Sequence, residues 1–175
     1  MILDFKNIEY LKFGNVRQRD AYSELKGLKI FDNLKNHHPI LAGTIPIEID
    51  LPESDLDIIC ECKNHHDFSE LLTKLFQNKK GFGINVKILN GKQATIAKFE
   101  SNGFTIEIFG QNIPSDQQNA YRHMLTEYKI LNSKGLEFKN EIKGLKAKGI
   151  KTEPAFAKLL GLKGNPYLEL LKIKV

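Results

Sequence analysis

Two cysteines in 175 residues, Cys60 and Cys62, lie too close together to staple distant parts of the chain, which excludes a disulfide framework. No apolar run approaches the roughly 20 residues that span a bilayer. Met1-Ile2-Leu3-Asp4-Phe5 has neither the basic start nor the apolar centre of a signal peptide, so a cytoplasmic protein without a membrane is expected. There is no internal repeat and no low-complexity tract. What remains is ordinary for a soluble globular chain, with 41% apolar and 27% charged residues, and the length predicts one domain.

The net charge of +5 is unevenly spread. Residues 134–175 hold ten lysines against four glutamates, a balance of +6, so residues 1–133 come to −1. Such a basic region beside an acidic half suits a polyanionic ligand such as a nucleotide or RNA, although lysines on exposed helix faces commonly serve only solubility.

Charge and apolar pattern converge on Ile40–Cys62. An apolar run, Pro39-Ile40-Leu41-Ala42, stops at Gly43-Thr44, crosses a loop holding Pro46 and Pro52, and resumes at Asp55-Leu56-Asp57-Ile58-Ile59-Cys60, which reads as strand, loop, strand. In the second strand Asp55, Asp57, Ile59 and Glu61 share one face, and Leu56, Ile58, Cys60 and Cys62 the other. Neighbouring carboxylates repel, so the pair is either a solvated strand start or a place for a cation. In phosphatases with an aspartyl nucleophile and in many sugar transferases the Asp-x-Asp follows a hydrophobic strand; here it precedes one. A zinc site built from Cys60, Cys62, His65 and His66 matches no common spacing, and buried strand thiols are the better reading.

The remaining elements follow from periodicity. Helices are expected from Asn15 to about Lys26 and from Leu28 to Asn36. A third, with Phe68, Leu71, Leu72, Leu75 and Phe76 on one face and Asp67 as its cap, ends near Asn78. Ile84–Leu89, Ala94–Glu100 and Gly103–Phe109 read as strands joined by the hairpin signals Asn90-Gly91 and Asn102-Gly103. Beyond Gly110 the pattern is helical: Ser115 or Asp116 to about Asn132, Leu136–Lys148, then helices opening at Thr152-Glu153-Pro154 and Asn165-Pro166. The expectation is therefore an α/β (α+β) fold, a mixed β-sheet of about five strands with flanking helices. It comprises an α/β core over 1–112 and a helical C-terminal subdomain over 113–175 that caps the sheet.

Gly43-Thr44, the loop, Ser54-Asp55-Leu56-Asp57-Ile58 and an acid on a later strand together resemble the signature of the nucleotidyltransferase superfamily typified by DNA polymerase beta. The third acid is Glu107, at the centre of Phe104-Thr105-Ile106-Glu107-Ile108-Phe109. More narrowly, LAGTIPIEIDLPESDLDIICE, QNAYRHMLTE and GIKTEPAFAKLLGLKGNPYLELL are similar to a small bacterial family of unassigned function within that superfamily.

The resemblance implies metal-dependent transfer of a nucleotidyl group from a nucleoside triphosphate to an acceptor, whether small molecule, RNA or protein. Asp55, Asp57 and Glu107 would hold Mg²⁺ or Mn²⁺, the hard cations that oxygen ligands and phosphate favour, with Gly43, Thr44 and Ser54 at the phosphates. Arg17, Arg122 and His123 are further candidates for phosphate or nucleotide contacts, against the commoner fate of surface arginines and of a histidine at a helix boundary. Members of the superfamily that keep the fold and lose the reaction make a non-catalytic nucleotide- or RNA-binding protein the alternative. All of this depends on strand register, because a slip of one residue turns Glu107 to the far face.

Overall fold

The computed structural model describes residues 3–173. A 3₁₀ turn, Glu9–Phe13, leads to α1 (Val16–Gly27), where Asn15 and Gln18 form a reciprocal capping box. Helix α2 is one turn long (Ile30–Asn33), and a further 3₁₀ turn delivers the chain to β1 (Ile40–Ala42). Strand β2 (Leu56–Glu61) follows the loop, and α3 (His65–Phe76) follows β2. The cap of α3 is Asn64, which accepts from the His66 and Asp67 backbone N–H groups, so cap and helix start lie three residues earlier than a cap at Asp67 would set them.

Three long strands come next: β3 (Lys80–Leu89), β4 (Lys92–Ser101) and β5 (Phe104–Gln111). Both Asn-Gly pairs turn with positive φ at each residue, 50° and 76° at Asn90-Gly91 and 45° and 80° at Asn102-Gly103, which matches the twist of the hairpin strands. The sheet has the order β1-β2-β5-β4-β3 and is mixed: β2 and β5 run parallel and the other pairs antiparallel.

The chain then enters α4 (Asn119–Ala147), α5 (Thr152–Leu160) and α6 (Pro166–Leu170). Gly135 breaks α4 with φ 82° and ψ −169°, which is why two helices were legible where one range now stands. Gln118, preceded by a 3₁₀ turn over Ser115–Gln117, occupies the cap position of α4, so neither Ser115 nor Asp116 is its cap.

Two cores sit on opposite faces of the sheet. Leu56, Ile58, Cys60, Ile106 and Ile108 pack against Phe68, Leu72 and Phe76 of α3. Ile40, Ala42 and Ile59 pack against Tyr121, Met124, Ile130 and Leu131 of α4 and Phe156 of α5. Alternation along β2 thus sends its apolar set to α3 and leaves the face of Asp57 to the C-terminal helices.

Candidate active site

Parallel pairing of β2 with β5 sets Asp57 directly beside Glu107. Residues paired across a sheet share a face, so both carboxylates project from the side that α4 covers only in part. Gly43 closes on them from the end of β1: its φ is +85°, and a Cβ there would stand 2.5 Å from Asp57 Oδ2. Only glycine lets the backbone come this near the carboxylate. The opening is a cleft of about 700 Å³ lined by Gly43, Thr44, Asp57, Glu107, the β3–β4 hairpin and the inner face of α4.

The electrostatics mark this corner. Burial, then the charges of Glu107 and Asp55, push the Asp57 carboxyl up to about 7, and Lys98 and Lys146 act against that rise. Lys98 pairs with Glu107 across β4 and β5, and its ammonium lies 2.9 Å from Asp55 Oδ2. Asp55 is thereby drawn to a lysine, and the three carboxylates do not close on one another as ligands of one ion. Among the described residues, the one trio of possible ligand atoms within 4.8 Å is His66, Asp67 and Glu70, exposed on the first turn of α3 and outside the cleft. The chemistry of the donor set nonetheless fits a hard divalent cation: two in-register carboxylates and a third at the strand start, with the charges of Glu107 and Asp55 adding to burial in raising Asp57.

Residues 23–173 match the model of a family described as a domain of unknown function, DUF4269. The chain belongs to that family. No curated protein matches it. Among solved structures it is similar to the Cid1 poly(U) polymerase bound to MgGTP, at 14% identity and a TM-score of 0.53, over 79% of this chain and 47% of that one. A mutant of the same polymerase bound to MgATP gives 14% identity and a TM-score of 0.56, over 93% and 54%. The GLD-2/RNP-8 complex gives 15% and 0.53, over 82% and 56%. The chain spans about half the length of these structures, and the likeness is one of fold: this DUF4269 chain has the nucleotidyltransferase fold.

Within it, the expected residues separate into two groups. Asp57, Glu107, Gly43, Thr44, Arg122 and His123 all line the cleft. Asp55, Ser54 and Arg17 do not, and each has another partner, Lys98 in the case of Asp55. The Ser54 hydroxyl accepts from the Leu51 backbone N–H at 2.9 Å and so closes the turn before β2. Arg17 donates to the carbonyls of Pro52 and Ser54, and its guanidinium lies 4.2 Å from the Phe104 ring centre, so it pins the loop to the sheet. His123 is equally committed: Nε2 donates to the Tyr167 carbonyl at 2.8 Å and Nδ1 faces Glu153 at 3.5 Å, tying α4 to α5 and α6. Arg122, exposed, donates to Asn119 Oδ1 at 3.2 Å.

The acidic loop does not crowd the phosphate side. Glu48 is 2.6 Å from Lys139, Lys146 donates to the Ile49 carbonyl at 2.6 Å, and none of Glu48, Asp50 or Glu53 lines the cleft. Two functional candidates were missed in the sequence. Lys98 had a signal, being the strand neighbour of Glu107 in the hairpin register. Glu127 had a fainter one, an acid between Met124 and Leu131 on an otherwise apolar helix face.

Proposed function

We propose that the cleft binds a nucleoside triphosphate together with Mg²⁺ or Mn²⁺ at Asp55, Asp57 and Glu107, and that the protein transfers the nucleotidyl group to an acceptor. The observation that carries this reading is the in-register pair Asp57 and Glu107 beside the positive-φ glycine, on the sheet face that opens into the cleft. A bound divalent cation supplies Lewis acidity toward phosphate oxygens and an attacking hydroxyl. Asp57 and Glu107 present oxygens from adjacent strands, and Asp55 joins them when it leaves Lys98. Lys98, freed, carries a positive charge to the mouth of the site, where a triphosphate's charge needs an offset. Thr44 offers its hydroxyl and the Gly43-Thr44 backbone to phosphate, and Arg122 offers an uncommitted guanidinium edge.

The acceptor class is open to small molecule, RNA or protein. Ten lysines between residues 134 and 175 favour a polyanion.

A second reading, a nucleotide- or RNA-binding protein without turnover, has one observation in its favour: the Lys98–Asp55 pair occupies the position where a cation belongs. Pyrophosphate release from each of the four ribonucleoside triphosphates, with an RNA oligonucleotide present and with either metal, separates the two. Transfer requires metal-dependent release that vanishes in Asp57→Asn; saturable nucleotide binding without release supports the binder.

A further inference from the structure

Register across the sheet fixes what shares a face with the carboxylates. Asp57 pairs with Glu107, and Glu107 with Lys98. Two residues along, Ile59 pairs with Phe109, Phe109 with Ile96 and Ile96 with Asn85. Two further, Gln111 pairs with Ala94 and Ala94 with Lys87, and Lys92, paired with Leu89, ends the row at the hairpin tip. Residues paired across strands and alternate residues along them lie on one side. The cleft therefore opens onto a floor that runs outward from the carboxylates over β5, β4 and β3.

Charge and polarity change along that floor. Gly43-Thr44 follows β1 and stands on one side of the acids. On the other side come Lys98, Lys87 and Lys92, all exposed, and Lys92 lines the cleft, as does Arg122 from α4. Lys98 is drawn to Asp55, whereas Lys87 and Lys92 have no ion-pair partner among the described residues. The other carboxylates of this face do not offset them, since Glu100 is paired with Lys80 and Glu61 with Lys63. Between the Lys98 and Lys87 rows lie Phe109 and Ile96, both half-buried; Phe109 lines the cleft and Ile96 belongs to neither core. From Lys98 to Lys92 the row covers six steps of β4, roughly 20 Å at the rise per residue of a strand. A triphosphate whose phosphates sit at the carboxylates cannot place them against the far lysines, and a chain of phosphates can.

Resting on the nucleotide reading of the cleft, we propose that the face of β5, β4 and β3 beyond Glu107 binds a single-stranded polynucleotide, and that this strand is the acceptor, its terminal hydroxyl lying beside Asp57 and Glu107. Lysines on either side of an apolar step suit a single strand: phosphates meet the charge, and an unpaired base lays its flat face on Phe109 and Ile96. A duplex keeps its bases inside, and an acidic peptide answers the lysines without a flat apolar face. The donor nucleotide keeps the Gly43-Thr44 side, so donor and acceptor approach from opposite ends of the strand order β1-β2-β5-β4-β3. The hydroxyl oxygen bonds the α-phosphorus as the bond to pyrophosphate breaks, and its proton leaves to water.

Fluorescence anisotropy of the full chain with labelled RNA and DNA single strands of about ten nucleotides, a duplex of the same sequence and a polyglutamate peptide tests the proposal. The variants are Lys87→Gln/Lys92→Gln and a charge-matched control, Lys29→Gln/Lys74→Gln, at α2 and on α3, whose core lies on the other face of the sheet. The first pair is expected to weaken single-strand binding about tenfold and to make the slope of log affinity against log salt shallower by about 1.4, two contacts at about 0.7 each. The control shifts affinity less than about threefold, and triphosphate binding with Mn²⁺ stays within about threefold in both. Binding of either strand in this way supports the proposal, and the comparison between them names the sugar. No single-strand binding, binding that survives Lys87→Gln/Lys92→Gln, equal weakening by the control, or a duplex or polyglutamate held as tightly overturns it and leaves the nucleotide reading standing. A strand held through Lys87 and Lys92 that brings no pyrophosphate release from any triphosphate overturns transfer and leaves the binding face standing.

Discussion

Asp57 and Glu107 stand side by side on parallel strands, 50 residues apart in sequence and paired in register. Two carboxylates held this way, one of them largely buried, repel each other in the absence of a cation, and the fold bears that repulsion. Asp57→Asn removes it. The ordinary aspartate value of 3.8 is raised to about 7, so the unfolded chain releases its proton first and stability falls as pH climbs between those values. Without ligand, Asp57→Asn is therefore expected to gain about 1–2 kcal/mol over wild type at pH 8 and little at pH 4, measured by urea unfolding.

Gly43 is the backbone's part in the same corner. Gly43→Ala places a methyl group 2.5 Å from Asp57 Oδ2 and forces φ +85° on a residue with a Cβ. A loss of about 2 kcal/mol or more is expected in thermal or urea unfolding, with Asp57 displaced. An equal stability for Gly43→Ala contradicts the close approach.

Lys98 holds Asp55 at 2.9 Å and competes with any cation for that carboxylate. Lys98→Met is expected to tighten Mn²⁺ binding by about threefold to tenfold in the absence of nucleotide, since removing a competing charge is worth about a kcal/mol at this exposure. Calorimetry of Mn²⁺ alone reads it directly. Weaker Mn²⁺ binding would assign Lys98 to shaping the site.

Arg17 pins the loop between β1 and β2 through two carbonyls and the Phe104 ring. Arg17→Ala is expected to cost about 1–3 kcal/mol of stability through charge-assisted bonds and stacking. Triphosphate affinity, measured at a temperature where the variant is folded, should change less than about threefold. A selective loss of affinity at unchanged stability would restore the phosphate role the sequence suggested.

Glu127 titrates in the opposite sense to a salt-bridged acid. Its ordinary 4.5 is raised to about 8, so the folded state keeps a proton that the unfolded chain loses, and stability drains as pH rises from about 4.5 to 8. Glu127→Gln removes this dependence. The difference in melting temperature between the variant and wild type should widen toward pH 8, corresponding to an order of 3 kcal/mol at most. A difference independent of pH contradicts a proton held at Glu127.

Much of this arrangement was written locally. Alternation in Asp55-Leu56-Asp57-Ile58-Ile59 sets which face meets α3, the two Asn-Gly pairs set the hairpins, and the apolar stripe of α3 sets its packing. The pairing of Asp57 with Glu107 could be framed from the sequence but not decided there, because register between distant parallel strands depends on the whole sheet. Arg17, Ser54 and His123 each carried a plausible phosphate chemistry. Their partners lie 37, 3 and 44 residues away, and competition for a side chain by backbone carbonyls or N–H groups leaves no mark on local pattern. Asn64 won the cap of α3 over Asp67 for a simpler reason: both residue types cap well, and the helix starts where the backbone leaves β2.

On the proposed function, Asp55, Asp57 and Glu107 together hold a divalent cation in the presence of a triphosphate. Electron paramagnetic resonance of Mn²⁺ titrated into the protein with a non-hydrolysable ribonucleoside triphosphate, compared among wild type, Asp57→Asn and Glu107→Gln, addresses it most directly. Saturable, nucleotide-dependent Mn²⁺ binding by the wild type that falls at least about tenfold in either variant is expected. Mn²⁺ binding by the wild type no stronger than by nucleotide alone, or binding that both variants retain, would contradict it.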